Sequence, residues 1–180
     1  MLLARDRIAK QSLGAKIGLT LAAAALIALG AKVQVPFWPV PMTLQTLAVL
    51  VIAAGLGPRL GLAAMGAYMA AGLAGLPVFA GSPERGLGLA YLAGPTTGFL
   101  IGMALSMIVT GALAQGRGLG MRAVAMLAGT VAIYVPGLIW LSAFVPADRL
   151  LAVGVAPFIL GDMVKIALGA LALQAVTRRG

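Results

Sequence analysis

The last of the chain's long apolar runs, Pro157-Phe-Ile-Leu-Gly-Asp-Met-Val-Lys-Ile-Ala-Leu-Gly169, holds two opposite charges, and few folds accommodate that. Near the first helical position, Pro157 loses nothing by lacking an N–H. A helix from there to Val176 spans roughly 30 Å at about 1.5 Å per residue, about the thickness of a bilayer core. Asp162 and Lys165, three residues apart, share one face of it roughly two turns from its start. A charge at that depth costs on the order of 2.5–3.5 kcal/mol on insertion scales, so intramembrane charges turn toward a cavity, a partner or a substrate. Two readings stay open: an ion pair that locks helices together, and a polar substrate site built on the same pair.

Composition sets the solvent. Of 180 residues, 62% are hydrophobic and 9% charged, against about a quarter charged in ordinary soluble domains. An all-α integral membrane protein is expected, a single membrane domain over 1–180 that leaves no room for a large soluble one. The formal net charge is +9, but the basic residues stand singly in short loops and at the ends. That is the distribution of topology signals and not of a phosphate-binding face, so no nucleic-acid partner is expected. The chain has neither cysteine nor histidine, which removes disulfides, thiolate chemistry and the commonest general base. One intramembrane carboxylate and no acidic pair leave no group evidently placed for catalysis or for a divalent metal. Neither an enzyme nor a bound cofactor is expected.

Six spans are read along the chain. Residues 1–16 are polar and basic, show no clear cleavable signal, and form a cytoplasmic segment with an amphipathic turn or two on the membrane surface. The six transmembrane helices then occupy about 17–177. The first runs from Ile17 to about Ala31, and Val35-Pro-Phe-Trp-Pro-Val-Pro41 follows, too proline-rich for a regular helix. The second starts at Thr43, a plausible N-cap, and ends near Gly55. Gly57-Pro58-Arg59 is a tight turn into the third, Leu60 to about Ala74. Gly75 to Ala90 is the longest polar-tolerant connection. The fourth span ends near Gln115, the fifth covers Met121–Phe144 with a kink at Pro136, and the sixth carries the charged pair. The second and third are short, so bilayer thinning or extension into the loops is needed.

Charge sorts the two sides. With both termini together, one side collects Arg5, Arg7, Lys10, Lys16, Arg59, Arg117, Arg122, Arg178 and Arg179; the other has Lys32, Arg85 and Arg149. The positive-inside rule puts both termini in the cytoplasm of a multi-pass protein of the inner cell membrane. The first and third loops and the start of the sixth helix then meet at the outer face. No internal repeat is evident, which disfavours an autonomous alternating-access transporter.

Single motifs are ambiguous. Gly94-Pro-Thr-Thr-Gly98 looks like a phosphate loop, yet the Gly-x4-Gly-Lys-Ser/Thr pattern is absent. Glycines permitting close helix contact and a pocket lining are compatible readings of it. Energy for any pumping must come from a partner or an ion gradient. Pro41-Met-Thr-Leu-Gln-Thr46 puts three hydrogen-bonding side chains at the start of a helix; Gln45, as a buried amide, needs partners. Ala24-x3-Ala28 permits close helix approach, for ordinary packing or for docking of a second membrane protein. Tyr68, Phe79, Tyr91 and Phe99 supply aromatic walls or simple core.

Four stretches, Val40-Pro-Met-Thr-Leu-Gln-Thr46, Gly75-Leu-Pro-Val-Phe-Ala-Gly81, Gly94-Pro-Thr-Thr-Gly-Phe-Leu-Ile-Gly102 and Gly161-Asp-Met-Val-Lys165, resemble in order and spacing the BioY family. These are the biotin-specific substrate-binding S components of energy-coupling factor (ECF) vitamin transporters. The resemblance covers about Lys16 to Ala172 and implies a six-transmembrane-helix bundle. It places the ligand pocket near the extracellular side, roofed by the first and third loops. It implies as partners biotin, a transmembrane coupling protein docking at Ala24 and Ala28, and two cytoplasmic ATPases. The lipid bilayer surrounds the protein, and whether it also works alone or as a homo-oligomer stays open. Asp162 and Lys165 match the family's polar pair, Thr43 and Gln45 the polar start of the second helix. Thr97 stands where Gly is usual and Phe99 where Tyr is usual, which removes a hydroxyl there. Tyr91 and Phe79 are candidate aromatic contacts. Biotin's ureido ring offers two N–H donors and one acceptor, which suit Asp162 and Lys165, and its carboxylate needs a cation nearer the mouth. Arg85 is the candidate, with Lys32 or backbone N–H groups as alternatives. An S component for another small carboxylate vitamin and a membrane scaffold locked by Asp162–Lys165 are the competing readings.

Overall fold

The computed structural model describes residues 11–179, and the basic residues Arg5, Arg7 and Lys10 lie outside them. The elements in chain order are α1 (Leu13–Lys32), β1 (Gln34–Val35), β2 (Met42–Thr43), α2 (Gln45–Leu73), α3 (Leu89–Leu92), α4 (Thr97–Ala114), α5 (Leu119–Leu141), α6 (Leu150–Gly154) and α7 (Ile159–Arg179). Among the described residues, five helical stretches are long and apolar enough to cross a membrane: Leu13–Lys32, Gln45–Leu73, Thr97–Ala114, Leu119–Leu141 and Ala147–Val176.

α2 contains two expected spans in one assigned helix, and Gly57 separates them. Its backbone is non-helical at φ 81°, ψ 176°, a left-handed region that favours glycine, and Pro58 opens the next arm with no N–H to leave unpaired. A Cβ built on Gly61 would lie 3.5 Å from Ala53 Cα, whereas residues eight apart in a straight helix are about 12 Å apart. The two arms therefore fold back as a hairpin. The tip packs against α4, where a Cβ on Gly111 would come 2.5 Å from Pro58 N.

The tightest helix pair is α4 with α5. Cβ atoms added to Gly98 and Gly102 would fall 2.3 Å from Pro136 O and 2.5 Å from Ile133 O, and one on Gly129 would meet Thr110 Oγ1. Small residues four apart let two backbones approach, which is how helices gain packing where lipid is as apolar as leucine. α5 is assigned as helix straight through Pro136. The Pro136 carbonyl oxygen faces Gly98 of α4. Gly94-to-Gly98 thus ends as a close-contact entry, with no phosphate loop in it.

Both extramembrane ends are defined by contacts. At one end the β1–β2 ladder pairs Gln34 with Thr43 and Val35 with Met42, closing the first loop. Lys32 Nζ at the end of α1 donates to Phe79 O (3.0 Å), Ser82 O (2.8 Å) and Ser82 Oγ (2.9 Å), tying α1 to the third loop. At the opposite end the α2 tip abuts Gln115, and Arg122 Nη1 donates to Gln174 Oε1 (3.5 Å). Lys32, Arg85 and Arg149 thus share the first end, while Arg59, Arg117 and Arg122 share the second. We expect Gly102→Ala to lower stability by about 1–3 kcal/mol through overpacking. Gly66→Ala, with nothing within 4 Å of its Cβ, should leave it unchanged or raise it by up to about 1 kcal/mol. Thermal unfolding in detergent compares the two.

Candidate functional site

Helix α7 begins at Ile159, so Asp162 lies in its first turn, not two turns in. Phe158 N bonds Val155 O (2.9 Å), and this turn keeps Pro157 and Phe158 out of the helix. The carboxylate is thereby brought to the loop end of the bundle, at the positive end of the α7 dipole, which favours an anion.

Around it a polar chain, buried at Asp162 and Lys165 and half-buried at Tyr134 and Thr46, joins three helices. Tyr134 of α5 donates its hydroxyl to Asp162 Oδ2 (2.5 Å). Lys165 Nζ donates to Asp162 Oδ1 (3.1 Å) and to Thr46 Oγ1 of α2 (3.0 Å). Asp162 and Lys165 are only 8% and 7% exposed, so each charge depends on the other and on its neutral partners. The bonds leave valences over. An ammonium has three donors and Lys165 uses two; a carboxylate has about four acceptor sites and Asp162 uses two.

The unused valences border a cavity. It measures ≈ 60 Å³ and is lined by Val40, Pro41 and Met42 of the first loop, Phe99 and Met103 of α4, Ile133 of α5 and Phe158. Thr43, Thr46, Thr130, Tyr134, Asp162 and Lys165 supply its polar wall. Phe99 keeps a packing role: its ring meets Tyr134 edge-on at 6.4 Å. The first loop forms the cover. Phe37 stands edge-on to Phe158 at 6.2 Å, and Arg85 Nη1 and Nη2 donate to Pro39 O (2.6 Å) and Phe37 O (3.4 Å). Arg85 reaches loop 1 across Gly81, whose φ is +71° and where a Cβ would sit 2.7 Å from Arg85 Cδ.

Of the residues singled out in sequence, Thr43, Asp162 and Lys165 line this cavity, while Gln45, Phe79, Tyr91 and Arg85 do not. Thr43 lies in β2 and accepts from Gln45 N at 3.3 Å; the helix cap itself is Leu44. Gln45 is buried, and among the described residues its Nε2 has no hydrogen-bond partner within bonding geometry. Phe79 stacks on Tyr91 (4.6 Å) and meets Tyr68 edge-on (5.5 Å). Tyr91 donates to Ala80 O (2.9 Å); burial pushes its phenol up, against the opposing pull of Thr96 and Arg85, and keeps it a donor. Arg85 and Tyr91 line a separate open cleft of ≈ 390 Å³ with Trp38, Pro39 and Thr96. The first loop divides the two spaces, Pro39 facing one and Val40 and Pro41 the other.

Of the Ala24-x3-Ala28 pair, Ala24 is buried in the core and Ala28 is half-buried against it. Small side chains there serve the close approach of α1 to α2, where a Cβ on Gly30 would come 3.1 Å from Gln45 Cα. Conversely, sequence reasoning does not find Tyr134. The available signal is that a phenol inside an apolar helix must bond to something, and Asp162 is the acceptor within reach. Asp162→Asn should cost about 3–5 kcal/mol of stability, as breaking a buried pair does. Replacing both partners by apolar residues, Asp162→Leu with Lys165→Met, should restore most of it; thermal unfolding of the single and double variants checks this.

Known proteins resemble the chain over nearly its whole length. The model of the BioY family matches residues 7–180. A "Probable biotin transporter BioY" of Pyrococcus horikoshii is 38% identical over 143 residues, 79% of this chain and 84% of that one. The "Biotin transporter BioY" of Thermotoga maritima is 38% identical over 149 residues, 82% and 86% respectively. The crystal structure of an S-component for biotin from an ECF-type ABC transporter superposes with a TM-score of 0.80, covering 94% of this chain and 96% of that one at 24% identity, and so shares the fold. With this match and the helical membrane architecture above, the chain belongs to the BioY family.

Proposed function

We propose that this protein captures biotin at the outer face of the cell membrane and hands it inward as the substrate-specific component of an ECF importer. The observation that carries the reading is the Tyr134–Asp162–Lys165–Thr46 chain, all four residues of which line the cavity beneath the first loop, with a donor of Lys165 and acceptor sites of Asp162 left over. A cyclic urea is complementary to it. Its two N–H groups match the free acceptor sites of Asp162, its carbonyl matches the third Lys165 proton, and bonds to charged groups are about twice as strong as neutral ones. The thioether ring and aliphatic chain suit Phe99, Met103, Ile133 and Phe158, in the usual division between apolar lining and a few placed polar groups. No bond is made or broken in this task.

The cavity must grow to admit such a guest. At ≈ 60 Å³ it accommodates a few waters, against about 300 Å³ at the lower end of ligand pockets. The movable wall is the first loop, which has little regular pairing beyond its two-residue ladder and is otherwise held by Arg85, the Phe37–Phe158 contact and the packing of Pro39 and Val40. Moved outward, it would join the cavity to the Arg85 cleft, where the guanidinium would be within reach of a ligand carboxylate. Gln45, Phe79 and Tyr91 then act behind the wall, fixing the third loop on which Arg85 stands.

Orientation follows from charge. With the Arg59–Arg117–Arg122 end and both termini in the cytoplasm, the loops over the cavity face outward, α2 crosses twice through its hairpin, and six crossings make one membrane domain. A transmembrane coupling protein bound to two cytoplasmic ATPases would meet α1 along its exposed face, beside the half-buried Ala28. The absence of cysteine makes topology directly testable. A cysteine at Glu84 should react with an impermeant maleimide in intact cells, and one at Arg117 only after lysis. Equilibrium binding of labelled biotin to the purified protein tests the ligand. Binding should be saturable and fall at least about tenfold in Lys165→Met, as loss of a charge-assisted bond implies. Saturable binding of a different carboxylate vitamin in preference to biotin would overturn the assignment.

A further inference from the structure

Resting on the biotin reading, we infer that Tyr134 and Thr46 are positioning residues that give the Asp162–Lys165 pair its selectivity for an unsubstituted cyclic urea. Neither is required by charge balance, since Asp162 and Lys165 already neutralise each other at 3.1 Å. What they fix is direction. A carboxylate bonded only to Lys165 can turn about its χ2, a broad and roughly two-fold torsion. The Tyr134 hydroxyl on Oδ2 pins the second oxygen and so sets where the remaining lone pairs point. Likewise an ammonium held only by Asp162 can swing on its four-carbon stem. Thr46 Oγ1, 3.0 Å from Nζ, fixes a second N–H and thereby aims the third.

The two supports come from different elements, which makes the arrangement rigid. Tyr134 stands on α5, locked to α4 through Gly102 and Ile133, and its ring is braced edge-on by Phe99. Thr46 stands in the first turns of α2, next to Thr43 on the same cavity wall. Asp162 and Lys165 share α7. The pair is thus oriented from both flanks. Each of the four side chains borders the cavity, so the orientation is set where a ligand would read it.

A ligand with both urea N–H groups free gains from that orientation, and one with a blocked urea nitrogen cannot. This makes the test a coupling experiment on the full-length protein in detergent. It compares wild type, Tyr134→Phe, Thr46→Val and Thr46→Ser for binding of biotin, desthiobiotin and biotin methylated on a urea nitrogen. Tyr134→Phe and Thr46→Val should each weaken biotin and desthiobiotin by a common factor of about ten or more. The N-methylated ligand, already weak, should lose less than about threefold, and Thr46→Ser should bind biotin like wild type. Equal losses for all three ligands, or biotin binding within twofold of wild type in both Tyr134→Phe and Thr46→Val, would overturn the inference. Thr46→Val stands alone as the test if Tyr134→Phe does not fold. Failure of wild type to bind biotin at all would instead remove the ligand assignment.

Discussion

A lysine and an aspartate buried three residues apart on α7 are the constraint to which the other helices answer. An intramembrane charge survives only with partners around it, and a buried ion pair by itself is weak support for a fold. Here the partners come from α5 and α2, so that satisfying two charges also fixes the relative positions of three helices. The hydroxyls of Tyr134 and Thr46 complete what neither charge does alone. Such a network is costly if half satisfied and rigid if complete. Rigid placement with valences left over is what recognition of a small polar guest requires.

Around that network the bundle divides its work. α4 and α5 form an inflexible wall because glycine replaces side chains along their contact, bringing Gly98 and Gly102 onto the backbone of Pro136 and Ile133. The first loop, in contrast, pairs regularly over only two residues and is held otherwise by the packing of Pro39 and Val40, one ring contact and one guanidinium. It lies directly over the cavity. The larger apolar groove of ≈ 550 Å³ between α1, α2 and α7 has a lining of apolar residues and glycine alone. It has volume without polar groups to orient a ligand, so the smaller polar cavity is the better candidate.

Hydropathy, proline and glycine placement, and the distribution of lysine and arginine made the spans, the Gly57 turn and the grouping of loops at one end legible in the chain itself. These are local or one-dimensional properties: a bilayer fixes span length, Pro58 opens a helix wherever it stands, and loop charge acts through the membrane. Asp162 and Lys165 were legible for the same reason, since a charge in an apolar run is conspicuous without coordinates. The start of α7 was not, because the turn at 155–158 depends on packing.

What the sequence by itself determined, then, was a helical membrane protein with one conspicuous acid–amine pair and a family resemblance that places it among biotin carriers. The tertiary structure alone decided which groups complete the pair, Tyr134 from 28 positions and Thr46 from 119 positions away in the chain, that Ala24 packs into the core, and that Arg85 clasps the first loop. The physical reason is separation along the chain: a periodic apolar pattern reports which residues leave water, but not which faces of distant helices meet, and hydrogen bonds between them exist only after they do.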